Sequence, residues 1–270
     1  MGELRNVGYA PGPATAGRLS AILAALLALC VNAQAPERSA MEVAPIDLTG
    51  YWAALITDDW QYRMIVPARG DYSWVPLNAE GRRVADTWDP QRDEAAGEAC
   101  KGYAAPAIMR LPTRLHITWE NADTLRVETD TGSQTRLFHF NQPQPQGART
   151  WQGHSVARWL YPGAGQQAGA FRDDAVVETS GGGSLQVDTS YLRPGYLRRN
   201  GVPYSEDAFM TEFFNVLTGA EGEQYLAIQT FVDDPVYLTQ HFMRTLQFKR
   251  EPDGSMWQPT QCSADGWAEN

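Results

Sequence analysis

One histidine and one glutamate in the middle of the chain have the types and spacing of an acid/base pair. His116 and Glu128 lie on two runs of alternating apolar and polar residues, separated by a turn at Asn121–Asp123. If these runs form a hairpin centred on Ala122, residue 116 lies opposite residue 128, with Cβ atoms about 4.5 to 5.5 Å apart. A carboxylate at that distance orients an imidazole and raises its basicity. The pair is therefore a candidate general acid or base; the alternative is an ordinary cross-strand contact on a solvated face.

The third member of this site depends on the turn before a further alternating run, Thr135–Phe140. A three-residue turn at 130–132 places Arg136 on the face of the acid/base pair, where its guanidinium would stabilise a developing anion. A two-residue turn places His139 on that face instead, because a one-residue slip exchanges the two faces of a strand. The sequence leaves both registers open.

Further candidate ligand contacts are Asp59, Arg63, His139 and Tyr196. Asp59 and Arg63 would line a barrel mouth, and Tyr196 belongs to a long loop rich in Tyr, Arg and Asn, where binding residues tend to gather. The four histidines have no HxH or HExxH spacing, so no metal site is expected. The chain contains neither a GxSxG elbow nor a glycine-rich phosphate loop before a helix, so no nucleotide or flavin cofactor is expected.

The elements that would position these residues are mostly strands. Period-two alternation predicts about ten of them, joined mainly by hairpin-length links. Leu77–Trp88 has helical spacing with Asn78 as N-cap, and Gln91–Tyr103 forms a second short helix. The predicted strands cover residues 48–56, 60–66, 114–140 as a three-stranded meander, 153–160, 184–191, 209–218, 225–232 and 238–250.

This pattern predicts an all-β protein with minor α content. The expected architecture is a single antiparallel β-barrel, lipocalin- or calycin-like, or else a curved β-sandwich, with one or two short helices closing an end. Residues 104–112 and 192–207 are expected to be loops. The chain has 43% hydrophobic and 11% aromatic residues, enough for a core or for a cavity lined by rings.

The first 35 residues predict a secretory signal peptide. Arg5 and Arg18 precede an apolar run, Leu19–Val31, which small residues follow at Ala33 and Ala35, near the expected cleavage site. The run is too short to span a membrane comfortably, so no membrane insertion is expected. The protein is therefore expected to be periplasmic or secreted.

Cleavage would leave two cysteines, Cys100 and Cys262. In an oxidising compartment an even pair most simply forms one disulfide, and no feature near either residue indicates a reactive thiol. The bond would lie within one domain, 36–270, which contains a low-complexity insertion at 161–183. The net charge of −10 argues against nucleic acid and anionic membranes as partners.

Six sequence blocks resemble a group of exported bacterial proteins of uncharacterised function. The blocks are GHSVARW at 153–159, SLQVDT at 184–189, PYSEDAFMTEFF at 203–214, DDPVYLTQHF at 233–242 and, as in a subset of the group, DDWQYRM at 58–64 and RLHITWE at 114–120. The insertion at 161–183 departs from the group, in which the two flanking strands are joined closely. The resemblance implies export and a single domain, and it assigns no catalytic residue.

These features predict an exported β-barrel-like protein that takes a small, partly apolar ligand, hydrophobic or aromatic, into an aromatic-lined cavity. One interpretation is a cofactor-independent isomerase, lyase or hydratase, in which His116 and Glu128 move a proton while Arg136 or Arg63 holds an anion. The alternative is a non-catalytic small-molecule binding or carrier protein of the cell envelope, and a third reading is a structural envelope protein. The oligomeric state is left open.

Overall fold

The computed structural model describes residues 38–162 and 182–265, besides the isolated Gly2 and Gly8. The predicted signal peptide, 1–35, lies outside the described residues, apart from those two glycines, as does most of the predicted insertion. Ser39–Asn270 form one compact unit of the chain. Within the described ranges, no helix has both the length and the apolar character needed to span a membrane.

Strands dominate the described chain, which confirms the predicted all-β class. They are β1 (Gly50–Leu55), β2 (Arg114–Asn121), β3 (Thr124–Thr129), β4 (Thr135–His139), β5 (His154–Leu160), β6 (Ser184–Ser190), β7 (Gly195–Arg198), β8 (Val202–Tyr204), β9 (Phe209–Thr218), β10 (Gln224–Asp233) and β11 (Phe242–Glu251). The helices are α1 (Trp60–Arg63), α2 (Ala79–Ala85), α3 (Pro90–Ala95) and α4 (Ala105–Ile108), with 3₁₀ turns at Ala99–Tyr103 and Thr131–Ser133.

Nine strands close into a barrel in the order β1-β11-β10-β9-β6-β5-β4-β3-β2, and β1 pairs with β2 to complete the ring. The predicted barrel is therefore confirmed, but a wholly antiparallel barrel is wrong at one pair, because β4 and β5 run parallel. The connection at 140–153 folds the chain back beside β4, so that Ser155 pairs with Phe138. Strand β5 therefore runs in the same direction as β4. Strands β7 and β8 form a separate hairpin.

The barrel interior is filled by side chains from alternating strand positions. Phe138 and Phe214 meet edge to face across it, with ring centroids 5.4 Å apart. A barrel of eight or nine strands is just wide enough for such a core. In the described chain this core occupies the place where an aromatic-lined cavity was expected. It includes Trp52, Leu115, Ile117, Leu125, Val127, Phe138, Leu185, Val187, Phe214, Leu226, Ile228, Leu246 and Phe248.

A second hydrophobic core covers one end of the barrel, which we call the capped end. Strands β1, β3, β6 and β10 finish at this end, and β2, β4, β9 and β11 begin there. Helix α2 begins at its predicted N-cap, where the Gly81 N–H donates to the Asn78 side chain at 2.8 Å. The second core contains Tyr72, Val75, Leu77, Ala85, Ala104, Ala105, Leu192, Leu197, Val202, Tyr204, Ala208, Met210, Val232, Leu238 and Phe242.

The opposite end, which we call the aromatic end, is closed by Trp119, Phe140 and Trp159. Their ring centroids are 5.2 to 6.5 Å apart. The segment 39–49 lies against this cluster, and the Trp159 indole N–H donates to the Ala40 carbonyl at 2.8 Å. Neutral groups therefore close this end.

Four predicted segments differ from the structure. The expected strand at 60–66 is helix α1, because Asp59 adopts a left-handed conformation (φ 53°) and Arg63 turns inward to donate to the carbonyls of Leu55 and Arg110. The expected loop at 104–112 contains α4, and the loop at 192–207 contains the β7–β8 hairpin. The last strand begins at Phe242 rather than at residue 238, whose backbone instead bridges to residue 77.

The predicted disulfide is confirmed, since Cys100 and Cys262 are bonded across a sequence separation of 162 residues. The bond joins the C-terminal segment to the 3₁₀ turn Ala99–Tyr103. The same segment is held by hydrogen bonds from Gly132 and Ser133 to Thr260. The C-terminal segment is thus fixed beside the turn that begins β4.

Candidate functional site

The predicted pairing of His116 with Glu128 is confirmed. The two residues are opposed on β2 and β3, and His116 Nδ1 lies 3.3 Å from Glu128 Oε2. Both side chains lie on the outer face of the barrel, where 27% and 28% of their surfaces remain exposed. The Tyr51 ring stacks on the imidazole at 4.2 Å between centroids.

Glu128 is shared between His116 and Arg126, whose guanidinium lies 2.9 Å away. The pKa of Glu128 is lowered, first by the hydrogen bond from Arg126 and to a lesser extent by His116. The carboxylate can orient the imidazole, as predicted, but on a half-exposed wall of the barrel. The acid/base role stays a prediction.

Arg136 does not join this pair. Glu128 pairs with Thr135, so the register is the alternative in which residues 135, 137 and 139 share the outer face. Residues 130–134 connect β3 to β4 and include the 3₁₀ turn Thr131–Ser133. The connection is therefore not the tight three-residue turn, 130–132, that would have placed Arg136 outside. Arg136 points into the barrel, 1% exposed, and its guanidinium holds both carboxylate oxygens of Glu212, at 2.6 and 3.2 Å.

His139 and Tyr196 lie apart from both groups. His139 is on the outer face, stacked on His154 with centroids 5.3 Å apart, and burial followed by the charge of His154 lowers its pKa. Tyr196 on β7 donates to Asp93 at 2.5 Å, and burial together with that contact raises its pKa. No group of three His, Cys, Asp or Glu side chains suited to a metal ion occurs in the part of the chain that the structure describes.

A buried polar layer separates the two hydrophobic cores at the capped end. On β9, Glu212 lies between Met210 of the second core and Phe214 of the first. On β11, Arg244 likewise lies between residues of the second core and the first. On β10, Thr230 also lies between the two cores. The remaining members are Arg136, Ser155 and Thr189, linked by hydrogen bonds of 3.2 and 2.8 Å.

Four arginines converge next to this layer, and we call them the arginine cluster: Arg63, Arg110, Arg198 and Arg244. Asp59 is their central counter-ion, with Oδ2 at 2.7 Å from Arg110 and 3.5 Å from Arg244. Asp59 and Arg63, the predicted residues of a barrel mouth, both belong to this larger group, and their role in binding stays a prediction. Arg63, Arg110 and Arg198 are 2%, 6% and 3% exposed. Among the described residues, the half-exposed Asp58 pairs with Arg63 at 3.3 Å, and the charge of Asp71 acts on Arg198.

Several guanidinium N–H groups of the cluster have no hydrogen-bond acceptor among the described residues. They are Arg63 Nη2, Arg110 Nε, and both Nε and Nη1 of Arg198. Burial, and then the charges of Arg198 and Arg244, lower the pKa of Arg110 to about 9. Burial also lowers the pKa values of Arg63 and Arg198. Buried donors without acceptors are uncommon in folded proteins, and they indicate a site for an anion or for water.

A small cavity opens beside these donors. Its volume is about 20 Å³, and its lining includes Arg110, Arg198 and Arg199 as well as Tyr62, Ile65 and Leu197. A second cavity of about 10 Å³ lies between the cluster and the polar layer, lined by Arg110, Arg244, Glu212 and Thr230 among others. A volume near 20 Å³ admits one group the size of a water molecule.

The sequence interpretation missed Arg110, Arg244 and Glu212, and it placed Arg198 only within the loop 192–207, which is rich in Tyr, Arg and Asn. A signal was present for two of them, because Glu212 and Arg244 stand at inward positions of otherwise apolar alternation, within Met210–Phe214 and Phe242–Leu246. A charge at such a position must be paired or functional. Arg110 carried no comparable signal, since it lies in an expected loop.

No protein-family model matches the chain, and no similar protein is found among the curated proteins or the solved structures.

Proposed function

We propose that this protein binds the anionic group of a small, partly apolar ligand at the arginine cluster, as a binding or carrier protein. The observation that carries the proposal is the excess of cations. Four guanidinium groups, three of them buried, face the central carboxylate of Asp59 and the partly exposed carboxylates of Asp58 and Asp71, and a cavity lined by Arg110 and Arg198 lies beside them. Several of their N–H groups have no acceptor among the described residues. Guanidinium groups bind carboxylates and phosphates through paired, charge-assisted hydrogen bonds. An anion would supply both the missing charge and the missing acceptors.

The cluster is held in place before any ligand arrives. Arg198 donates to the Ser73 carbonyl at 2.8 Å and stacks on the Tyr62 ring at 4.3 Å, and Arg63 donates to the Arg110 carbonyl at 2.9 Å. Such contacts fix the donors in one geometry, so little rotamer entropy is lost when an anion binds. Preorganised donors favour recognition of a specific anionic group over loose ion exchange.

The proposal is tested by calorimetric titration with sodium acetate and with sodium phosphate, using Arg198→Gln as the variant. Arg198 lacks a carboxylate hydrogen bond, so its replacement should weaken anion binding at least about tenfold, equivalent to one charge-assisted hydrogen bond. The free energy of unfolding should change by less than about 1.5 kcal/mol, since the lost bond to Ser73 is offset by reduced repulsion in the cluster. Arg158→Gln, on the exposed outer face, is the matched control and should bind as the wild type does.

Wild-type protein that binds neither anion, or an Arg198→Gln variant that binds them unchanged, contradicts the proposal. The pH dependence gives a second test. Because the pKa of Arg110 is lowered to about 9 and a bound anion favours its charged form, affinity should be constant from pH 6 to 8 and fall as the pH rises through about 9. An affinity that stays constant to pH 10.5 would show that Arg110 keeps its charge, and it contradicts the expected titration near pH 9.

A further inference from the structure

The cavity beside the arginine cluster has a lining of mixed character. Arg110, Arg198 and Arg199 contribute to it, and most of the other lining residues are apolar, among them Tyr62 and Ile65. A lining that combines cationic and apolar side chains suits a ligand that has a charged head and an apolar body.

The size of the cavity determines how much of such a ligand is enclosed. Its volume of about 20 Å³ admits one oxygen of a carboxylate, a group about the size of a water molecule, but not a whole ligand. A tetrahedral phosphate, with four oxygens, needs more room than a planar carboxylate. Arg198 offers single donors rather than a fork, because Nη2, which shares an edge with Nε, already donates to the Ser73 carbonyl at 2.8 Å, and only Nε and Nη1 have no protein acceptor. The body of the ligand must then lie outside, on the lip of the cavity.

The lip of the cavity exposes large apolar side chains. Ile65, which lines the cavity, is 49% exposed, and Trp60 and Met64 on the same segment are 58% and 48% exposed. Three large apolar side chains exposed together mark a contact surface more often than isolated ones do. We call residues 60–67 the apolar lip.

The arginine cluster also holds a second exposed ring. Arg198 and Arg244 donate to the carbonyls of Ser73 and Trp74, at 2.8 and 3.0 Å. Trp74 is 76% exposed and adopts a left-handed conformation, φ 66°, which is costly for a bulky residue. The cations that would bind the head therefore also fix the segment that presents this ring to solvent.

We infer that the ligand is an amphipathic monocarboxylic acid, whose carboxylate enters the arginine cluster and whose apolar body lies on the apolar lip. This inference rests on the proposed function and adds the ligand class to it. Charge complementarity selects the head, and the exposed side chains of residues 60–67 select the body. An uncharged amphiphile would leave the guanidinium donors unsatisfied, and a short acid would leave the lip in water.

The test is a calorimetric series with acetate, hexanoate and decanoate, at concentrations below micelle formation, with decanol as the uncharged probe. Burying a methylene group contributes about 0.8 kcal/mol, roughly fourfold in affinity, so a partly exposed lip should give at least about a tenfold gain from hexanoate to decanoate. Decanol should bind at least about tenfold more weakly than decanoate.

Two variants distinguish the contribution of the ligand's carboxylate head to affinity from the contribution of its apolar body. Met64→Ser should reduce the gain from hexanoate to decanoate and leave acetate affinity unchanged, because Met64 is exposed on the apolar lip, outside the cavity lining. Arg198→Gln should weaken all three acids. Leu217→Ser is the matched control, because Leu217 is 56% exposed on β9 near the aromatic end, and it should change neither.

Each of the other outcomes of the calorimetric series rejects a specific part of the proposal. Acetate binding without dependence on chain length rejects the amphipathic ligand and leaves the anion site standing. Absence of binding by every acid, with phosphate still bound, rejects the carboxylic acid as the ligand class. Absence of binding by every acid and by phosphate, or equal binding of decanol and decanoate, rejects the anion site itself. Sedimentation with phosphatidylglycerol vesicles, without binding of free decanoate, would replace the small molecule by a membrane surface as the occupant of the lip.

Discussion

The two ends of the barrel are closed by opposite chemistry. At the aromatic end, Trp119, Phe140 and Trp159 pack as neutral rings, and the Trp159 indole donates to the Ala40 carbonyl. At the capped end, a buried polar layer and the arginine cluster lie between two hydrophobic cores. Both ends exclude water from the same barrel core, so closure alone does not require charge.

This difference indicates which end carries function. A buried ion pair is seldom more stabilising than well-packed apolar residues of the same volume, and unpaired buried cations are destabilising. The aromatic end shows that this fold can close a barrel with rings. The arginine cluster therefore costs stability that packing does not require, which is typical of sites shaped for a ligand.

Breaking the ion pair of the polar layer should have the largest effect on stability. Arg136 and Glu212 are each 1% exposed, and removal of either partner leaves a buried charge without its counter-ion. Glu212→Gln should lower the free energy of unfolding by about 3–5 kcal/mol, measured by urea denaturation. The same change at the exposed Arg126–Glu120 pair, Glu120→Gln, is the control and should cost less than about 1 kcal/mol.

The double variant Arg136→Met with Glu212→Leu removes both charges and should recover most of that loss, because apolar residues of similar volume replace the pair. The double variant makes the polar layer more like the aromatic end, because neutral apolar side chains then replace the ion pair. A double variant as unstable as Glu212→Gln contradicts this account of the capped end.

The disulfide is the second support specific to the capped end. Cys100→Ser together with Cys262→Ser should lower the free energy of unfolding by about 2–4 kcal/mol, since the bond closes a loop spanning 162 residues of sequence separation. Free-thiol titration of the native wild-type protein should find neither residue reactive. Equal melting temperatures for wild type and the double variant contradict a stabilising bond.

At the aromatic end, a smaller and purely structural effect is expected. Trp159→Phe keeps the ring cluster but removes the 2.8 Å hydrogen bond to Ala40, which should cost about 1 kcal/mol. Acetate and decanoate should bind as to the wild type, measured by the same calorimetric titration. Loss of anion binding in this variant would show that the two ends are coupled. It would contradict the assignment of a purely structural role to the aromatic end.

The sequence was informative where structure is local. Period-two alternation predicted the meander of β2, β3 and β4, and Asn78 predicted the start of α2, because these features depend on neighbouring residues. The direct opposition of His116 and Glu128 followed from one turn. The disulfide followed from having two cysteines in the predicted mature chain.

The sequence was uninformative where distant segments meet. The register of β4 depended on the length of one turn, and the parallel pairing of β4 with β5 depended on how a 14-residue connection, 140–153, folds back. The arginine cluster joins residues from α1, the segment before β2, the β7–β8 hairpin and β11. Only the closed barrel brings these four segments together, so no spacing rule could have grouped them.

The smallest effect is expected on the barrel wall, at the pair from which the acid/base prediction began. Removing His116 leaves Glu128 ionised and still bonded to Arg126, because the hydrogen bond from Arg126 is the largest cause of its lowered pKa. Since both members are about a quarter exposed, His116→Ala and Glu128→Gln should each change the free energy of unfolding by less than about 1 kcal/mol. Both variants should bind acetate and decanoate normally, since they face away from the interior that Arg136 and Glu212 occupy. Loss of acid binding in His116→Ala, with stability retained, would move the functional site from the capped end to this wall.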